Sequence, residues 1–334
     1  MKRRCYGLLR TLVLLLAVPA IAADGLLVVL NKSDHEAALV DPASYEVKAK
    51  LPTGQGPHEA AASPDGRTAY VSNYGYYGVF REGEQPRMQP GNTVTVLDLA
   101  NRRVKATFDL GRYTQPHGLV VSRDGKRLWV TCEGAKSVLE LNAATGAVLK
   151  AWETEQDVSH MVVPTPDEHK LYVANIGSGS VTVIDRTTDI VKSIRTGAGA
   201  EGIDISPDGR EVWASNRGAN SLSIISTASD SVVATCESGG ETPIRVKFTA
   251  DGKQVWVSNA RSNAVTVFDA ATRQLLDTVK VGAVPVGILM TPDGRRAFVA
   301  NTNANQVSVI DVAERKVLRT FSTGNEPDGM AWAK

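Results

Sequence analysis

The sequence predicts an all-β protein, a seven-bladed β-propeller of four-stranded blades. Three observations predict it: a turn motif recurs about every 42 residues, each repeat holds four strand-like runs, and the C-terminal repeat is incomplete. Frequent Val and Thr, 29 Gly and few aromatic residues favour many short strands and turns over long helices. A chain of 334 residues is long enough for one large all-β domain.

The recurring turn sets the length of the repeat. It reads Ser or Thr, any residue, Asp and usually Gly, and its acidic residues are Asp65, Asp124, Asp167, Asp208, Asp251 and Asp293. The steps between them are 59, 43, 41, 43 and 42 residues. Gly and Asp supply the backbone conformations that a tight hairpin needs, and a period near 42 is typical of a propeller blade.

Four strand-like runs surround each turn. An apolar first strand leads into it, and a second strand follows that ends in aromatic-Val-x-Asn, as in Tyr172 to Asn175. The third strand alternates and ends at an acid, as in Val181 to Asp185, and the fourth ends in Thr-Gly or a variant of it. This alternation has the period of two that is expected of strands.

These motifs carry a resemblance to a known family. The order Pro-Asp-Gly, Tyr-Val-x-Asn, Val-x-Val-Ile-Asp and Thr-Gly resembles the YVTN-repeat propellers, which include the YncE-like periplasmic proteins and have the haem-d1 propellers among their relatives. The resemblance extends over residues 23–334 and implies the fold. Such repeats serve many roles, so the resemblance does not imply one function.

The two ends of the chain are predicted to share the seventh blade. Full repeats begin near residues 56, 112, 156, 198, 241 and 283, and a seventh first strand starts at residues 326–329 without its three companions. Residues 26–31, 37–41 and 47–51 supply three strand-like runs at the N-terminal end. A blade built from both ends closes the ring and removes an open sheet edge.

Residues 1–22 read as a cleaved signal peptide. Four basic residues precede or enter a short apolar run, and Ala20-Ile21-Ala22 is a small-x-small cleavage site. The run is too short for a membrane span. We therefore expect residues 23–334 to form one propeller domain located in the periplasm or secreted.

Charge and cysteine usage narrow the function classes. Without residues 1–22 the chain has 33 basic and 36 acidic residues, a net charge of −3, which gives no support for nucleic-acid binding. Cys132 and Cys236 remain in that part of the chain. They fall in the second and fourth blades, so we expect two reduced thiols rather than a disulfide.

The starts of the seven first strands align without gaps, and their third position forms a ring at one end of the central channel. We call this the first ring; it consists of His58, His117, His160, Glu201, Ile244, Val286 and Asp328. Three of the five histidines of the chain thus lie in consecutive blades, with a carboxylate on either side. Neutral imidazoles and carboxylates bind divalent transition metals such as Cu, Zn, Fe or Mn. The sequence predicts a metal site formed by His58, His117, His160 and Glu201, with a metal-free histidine cluster as the alternative.

Candidate ligand-contacting residues lie on the same face of the propeller. The first full repeat is about 17 residues longer than the others, and most of the excess lies in one loop between the second and third strands. Long loops in compact domains often act as lids or binding loops, although a flexible decoration is the alternative. The candidates are Tyr74, Tyr76, Tyr77, Phe80 and Arg81 in this loop, Tyr113 and His35 in neighbouring loops, and Asp328 in the first ring. His169 is expected to be solvated on the opposite face.

Two residues depart from the repeat pattern near the first ring. Cys132 replaces the Asn that ends the second strand elsewhere, and is either an outer ligand, a redox thiol or a small core residue. Arg245 replaces a Gly. Three alternatives are open for it: it pairs with an anionic substrate, it pairs with Glu201, or it is an ordinary surface arginine.

The sequence contains none of the familiar catalytic signatures. It has no G-x-S-x-G, no phosphate-binding loop, no H-E-x-x-H, no C-x-x-C and no c-type haem motif. The expected function is an exported propeller that binds a transition metal at the channel mouth, as a metal-dependent oxidoreductase or lyase acting on a small molecule. The alternative is a non-catalytic scaffold that binds a protein or polymer on the same face.

Overall fold

The structure, a computed structural model, describes residues 25–75 and 89–334. Within these residues the chain forms seven four-stranded antiparallel sheets arranged as the blades of a propeller, which confirms the predicted fold. The proposed signal peptide, the start of the domain at residue 23, and the candidates Tyr76, Tyr77, Phe80 and Arg81 lie outside the described residues.

The first three strands of the chain and the next eight strands build the closing blade and blades 1 and 2. They are β1 (Leu26–Asn31), β2 (Glu36–Val40), β3 (Val47–Pro52), then β4 (Pro57–Ala62), β5 (Thr68–Gly75), β6 (Pro90–Asp98) and β7 (Arg103–Asp109) in blade 1, and β8 (Pro116–Val121), β9 (Arg127–Cys132), β10 (Ser137–Asn142) and β11 (Val148–Glu153) in blade 2.

Blades 3 to 6 follow with the same order. Their strands are β12 (Ser159–Pro164), β13 (Lys170–Asn175), β14 (Ser180–Asp185), β15 (Val191–Arg195), β16 (Ala200–Ile205), β17 (Glu211–Asn216), β18 (Ser221–Ser226), β19 (Ser231–Glu237), β20 (Pro243–Phe248), β21 (Gln254–Asn259), β22 (Ala264–Asp269), β23 (Leu275–Lys280), β24 (Pro285–Met290), β25 (Arg296–Asn301), β26 (Gln306–Asp311) and β27 (Lys316–Phe321). Two short 3₁₀ helices, Glu133–Ala135 and Thr302–Ala304, follow β9 and β25.

The closing blade, blade 7, joins both ends of the described chain. Its innermost strand is β28 (Pro327–Ala333), which pairs with β1, and β2 and β3 complete the sheet. The pairing runs from Leu26 opposite Ala333 to Asn31 opposite Pro327. The shared blade predicted from the incomplete seventh repeat is therefore present.

The core lies between neighbouring blades. Each blade buries its inner strands and exposes much of its fourth strand: β13 is buried along Leu171–Asn175, whereas β15 exposes most of its residues. The aromatic residue of the second strand is fully buried in blades 2 to 6, where Trp129, Tyr172, Trp213, Trp256 and Phe298 fill the space between sheets. No helix within residues 25–75 and 89–334 has the length and apolar composition needed to cross a bilayer.

Candidate metal centre at the channel mouth

The first ring lies at the inner ends of the first strands, as the sequence predicts. In every blade the pairing of the first and second strands is interrupted there by a β-bulge; in blade 1, His58 and Glu59 together oppose Ser72. The residue two positions before the first ring has a positive φ, between 53° and 75°, in all seven blades. A bulge re-aims the side chains it contains, so one local geometry repeated seven times directs the first ring at the channel.

A second ring lies beside the first, and the sequence predicted only one of its members, Tyr74. It consists of the residue that follows the terminal Asn or Cys position of each second strand: Lys32, Tyr74, Glu133, Ile176, Arg217, Ala260 and Thr302. Each donates its backbone N–H to the carbonyl oxygen of the positive-φ residue of its own blade, at 2.9–3.0 Å. The same hydrogen bond therefore holds the two rings side by side around the whole mouth.

The three predicted histidines lie together in the first ring. The ring centroids of His117 and His160 are 3.6 Å apart, and those of His58 and His117 are 5.0 Å apart. His58 Nδ1 lies 2.8 Å from the carbonyl oxygen of Gly56, whereas Nδ1 of the buried His117 has no hydrogen-bond partner. Tyr74 covers the cluster, with its ring centroid 4.7 Å from that of His58.

Glu133 is the carboxylate that the structure adds to this cluster. Its Oε1 lies 2.5 Å from Nδ1 of His160, and its Oε2 accepts a hydrogen bond from the Tyr74 hydroxyl at 2.5 Å. Gln115 in turn donates to the Tyr74 oxygen at 3.1 Å. One ligand atom is contributed by each of His117, Glu133 and His160. These three atoms lie within 4.8 Å of one another, a grouping that could hold a metal ion.

The other carboxylates of the mouth have basic partners. Lys32 lies 2.8 Å from Asp328, and Arg217 lies 3.0 Å from Oε2 of Glu201. The second oxygen of Glu201, Oε1, is 3.8 Å from Nε2 of the predicted co-ligand His160. Glu201 and Asp328 thus reach the mouth as predicted, each with a basic residue of the second ring beside it.

Arg245 crosses the channel below the histidines. Its guanidinium pairs with Glu59 of blade 1 and donates to the sulfur of Met161 in blade 3 at 2.9 Å. From the sequence we expected Arg245 to pair with an anionic substrate or with Glu201, or to lie on the surface. Its side chain is instead buried against Glu59, because closure of the propeller brings blades 1, 3 and 5 to one axis.

Burial makes the imidazoles of the cluster weak bases. Desolvation, together with the positive charge of Lys32, lowers the pKa of His58 from 6.5 to about 4. Desolvation and the neighbouring imidazoles of His160 and His58 lower the pKa of His117 well below 6.5. The imidazoles of His58 and His117 are therefore neutral at pH 7, and imidazole binds a metal in its neutral form.

The remaining arc of the first ring is apolar. Ile244 and Val286 of the first ring are buried and pack in one cluster with Ala260 of the second ring. Blade 5, which carries Ile244, is next to blade 4, which carries Glu201 and Arg217. A polar arc over five blades thus meets an apolar wall over two.

The other candidates lie outside the cluster. His35 accepts a hydrogen bond at Nδ1 from the Gly56 N–H at 3.1 Å, so it ties loops of neighbouring blades together. Tyr113 packs against the core of blade 2 and contacts the guanidinium of Arg112, 5.0 Å from the ring centroid. Cys132 is fully buried in the same core, and burial raises the pKa of its thiol. His169 is exposed beside Asp167, as expected for the opposite face.

Comparison with known proteins finds a propeller family that part of the chain resembles. Residues 149–291 match the YNCE-like beta-propeller family. The match confirms the resemblance to YncE-like propellers. No curated protein matches this chain in sequence.

Solved structures of low sequence identity share the fold. Kuenenia stuttgartiensis hydrazine synthase is 21% identical with a TM-score of 0.75, over 87% of this chain and 94% of that one. The periplasmic gluconolactonase PpgL of Pseudomonas aeruginosa is 20% identical with a TM-score of 0.72, over 93% and 99%. The dihydro-heme d1 dehydrogenase NirN is 20% identical with a TM-score of 0.65, over 90% of this chain and 64% of that one. At these identities the likeness shows the fold alone.

Proposed function

We propose that this protein is a periplasmic propeller that binds one divalent transition metal ion at the channel mouth through His58, His117, His160 and Glu201. The observation that carries the proposal is Glu133. Among the described residues it is the buried carboxylate of the mouth without a Lys or Arg partner, and it lies against the histidine cluster. A buried carboxylate requires a nearby positive charge, and a metal ion beside neutral imidazoles supplies one.

The hydrogen bonds of the cluster support binding through the Nε2 atoms. His58 and His160 both have Nδ1 beside an acceptor, the Gly56 carbonyl oxygen and the Glu133 carboxylate. A proton on Nδ1 leaves the lone pair on Nε2, which is the usual arrangement of a metal-binding histidine with a carbonyl or carboxylate behind it. In this arrangement Glu133 positions His160, and Glu201, which faces Nε2 of His160, is the carboxylate that reaches the metal.

The donor set suits several metals. Three imidazoles with one carboxylate are compatible with Cu, Zn, Fe or Mn. A bound metal would activate water or oxygen or polarise a substrate, so we propose a metal-dependent oxidoreductase or lyase that acts on a small molecule. The fold accommodates such activities, since a synthase, a dehydrogenase and a gluconolactonase share it.

Metal analysis of protein purified from the periplasm tests the proposal. We expect about one metal ion per chain in the wild type and a loss of the metal in the His117→Ala and His160→Ala variants. His169→Ala is the matched control, because it removes an exposed imidazole on the opposite face and should leave the metal content unchanged.

Two outcomes would contradict the metal site. One is a folded wild-type protein that takes up none of the four metals at any loading. The other is a metal content that His117→Ala and His160→Ala leave unchanged. The first outcome would favour a metal-free, hydrogen-bonded histidine cluster and a non-catalytic scaffold that binds a protein or polymer on this face.

A further inference from the structure

We propose that the metal-loaded mouth binds a small organic carboxylate, with the acid group between the metal and Arg217 and the apolar part on the wall of Ile244 and Val286. This inference rests on the proposed metal site and names the class of molecule that the site takes.

The charge of the metal-loaded mouth favours an anionic ligand. Among the residues that the structure describes, the Lys, Arg, Asp and Glu side chains of the mouth are three basic and four acidic: Lys32, Arg217 and Arg245, and Glu59, Glu133, Glu201 and Asp328. Their net charge is −1. A divalent metal makes the net charge of these side chains positive. A net positive charge in a partly desolvated site favours a ligand with a negative charge.

Arg217 is the basic residue of the mouth that can contact such a ligand. The side chains of Lys32 and Arg245 are 5% and 7% exposed, and both are closed off in ion pairs. The side chain of Arg217 is 36% exposed, and its bond to Glu201 uses Nη1. A guanidinium presents its donors as a planar fork that matches a carboxylate, so Arg217 can bind Glu201 and an incoming carboxylate together.

An apolar wall lies next to Arg217. Ile244 belongs to the blade that follows Arg217, and its carbonyl oxygen accepts a hydrogen bond at 3.1 Å from Ser215, two residues before Arg217. Val286 continues the wall in the next blade. An inorganic anion gains nothing from this surface, whereas an alkyl or aryl carboxylate gains about fourfold in affinity for each CH₂ group that it buries.

Calorimetric titration of the Zn²⁺-loaded protein tests the inference with three probes: acetate, hexanoate and hexanol. We expect hexanoate to bind at least about 10-fold more tightly than acetate or hexanol, because it alone uses both the charge and the wall. Arg217→Gln should weaken hexanoate about 10-fold. Val286→Thr, which keeps the shape but adds a hydroxyl to the wall, should weaken hexanoate and leave acetate unchanged.

The matched control is Arg261→Gln, an exposed arginine in the corresponding loop of blade 5, which should leave hexanoate binding unchanged. The Zn²⁺ content of each variant is measured before titration. A protein that holds Zn²⁺ but binds hexanoate no better than hexanol overturns this inference alone, as does an Arg217→Gln variant that holds Zn²⁺ and binds hexanoate like the wild type. A wild type that holds no Zn²⁺, Cu²⁺, Fe²⁺ or Mn²⁺ overturns the proposed function, and the charge argument for the carboxylate with it.

Discussion

Cys132 occupies the position that Asn holds at the end of the second strand in the six other blades. In blades 1 and 3 to 6 that Asn donates a hydrogen bond to a Ser or Thr on the third strand. In blade 2 the third-strand residue is Leu139, and both Cys132 and Leu139 are fully buried in one apolar cluster. A polar pair has thus been replaced by an apolar pair, which explains the cysteine as a core residue rather than as a thiolate.

A carboxylate at a metal site either binds the metal or positions another ligand, and Glu133, the residue after Cys132, tests which role applies. Its Oε1 is hydrogen-bonded to Nδ1 of His160 at 2.5 Å, so we assign it to positioning that imidazole. Glu133→Gln keeps an oxygen acceptor but removes the charge. We expect the variant to bind the metal about 10–100-fold more weakly at unchanged stoichiometry, as competition titrations against a chelator would show.

The comparison variant for Glu133 is Glu201→Gln, which removes a carboxylate that faces Nε2 of the same histidine. It should change the electron paramagnetic resonance spectrum of bound Cu²⁺, because a ligand is altered, whereas Glu133→Gln should preserve the spectrum. If Glu133→Gln alone alters the spectrum, then Glu133 and not Glu201 is the ligand.

At the scale of the strand, two local features place both rings. The bulge at the first ring and the positive φ two residues before it occur in all seven blades, even where the residue is the β-branched Val158 or Val284. Such a backbone is costly for a β-branched side chain and persists only where surrounding contacts enforce it. The contact that recurs is the hydrogen bond from the second-ring N–H to this residue's carbonyl oxygen.

The first ring can be predicted from the sequence, whereas most members of the second ring cannot. The seven first strands align without gaps, so three histidines in one position are visible. The second ring reads Lys, Tyr, Glu, Ile, Arg, Ala and Thr, which share no chemistry, and only its place after the terminal Asn or Cys position could have revealed Glu133. Its importance comes from contacts between blades, such as Glu133 of blade 2 with His160 of blade 3, and these depend on the closed ring.

A hydroxyl on the second strand ties the first-ring backbone of neighbouring blades. Thr131 accepts a hydrogen bond from the Gly118 N–H at 2.8 Å and donates to the His160 carbonyl oxygen at 2.6 Å. Ser72, Ser215 and Ser258 make the same two bonds in their blades. At Gly118 a Cβ would lie 2.6 Å from the His160 carbonyl oxygen, so glycine permits the close approach of blades 2 and 3 at this point.

Thr131→Val should therefore destabilise the fold by about 1–3 kcal/mol, because it leaves a buried N–H and a buried carbonyl oxygen without partners at nearly constant shape. Denaturant unfolding measures the change. Thr131→Ser is the matched control and should lie within about 0.5 kcal/mol of the wild type apart from the lost methyl group. A Thr131→Val variant that is as stable as the wild type would show that the hydroxyl bonds contribute nothing net.

At the scale of the whole molecule, the ring brings together residues far apart in sequence. Arg245 and Glu59 belong to blades 5 and 1, yet they meet across the channel. On the outer side, Arg186 of blade 3 pairs with Glu140 of blade 2 and lies over the ring of Trp129, 4.7 Å from its centroid. The repeats predict how many blades exist and in which order, but not these pairs, because each member stands at a position that varies between blades.

Closure of the ring depends on β28, which no covalent bond joins to its partner β1. Removal of residues 327–334 exposes the inner edge of β1 and the buried faces of Val28 and Leu30, and also removes Asp328 from Lys32. We expect the truncated chain to melt at least about 10 °C below the full chain, or without a cooperative transition, in circular dichroism melts. A synthetic peptide of residues 325–334 should restore much of the difference by strand addition, whereas a scrambled peptide should not. A truncated chain that melts like the full chain would show that blade 7 does not need its innermost strand.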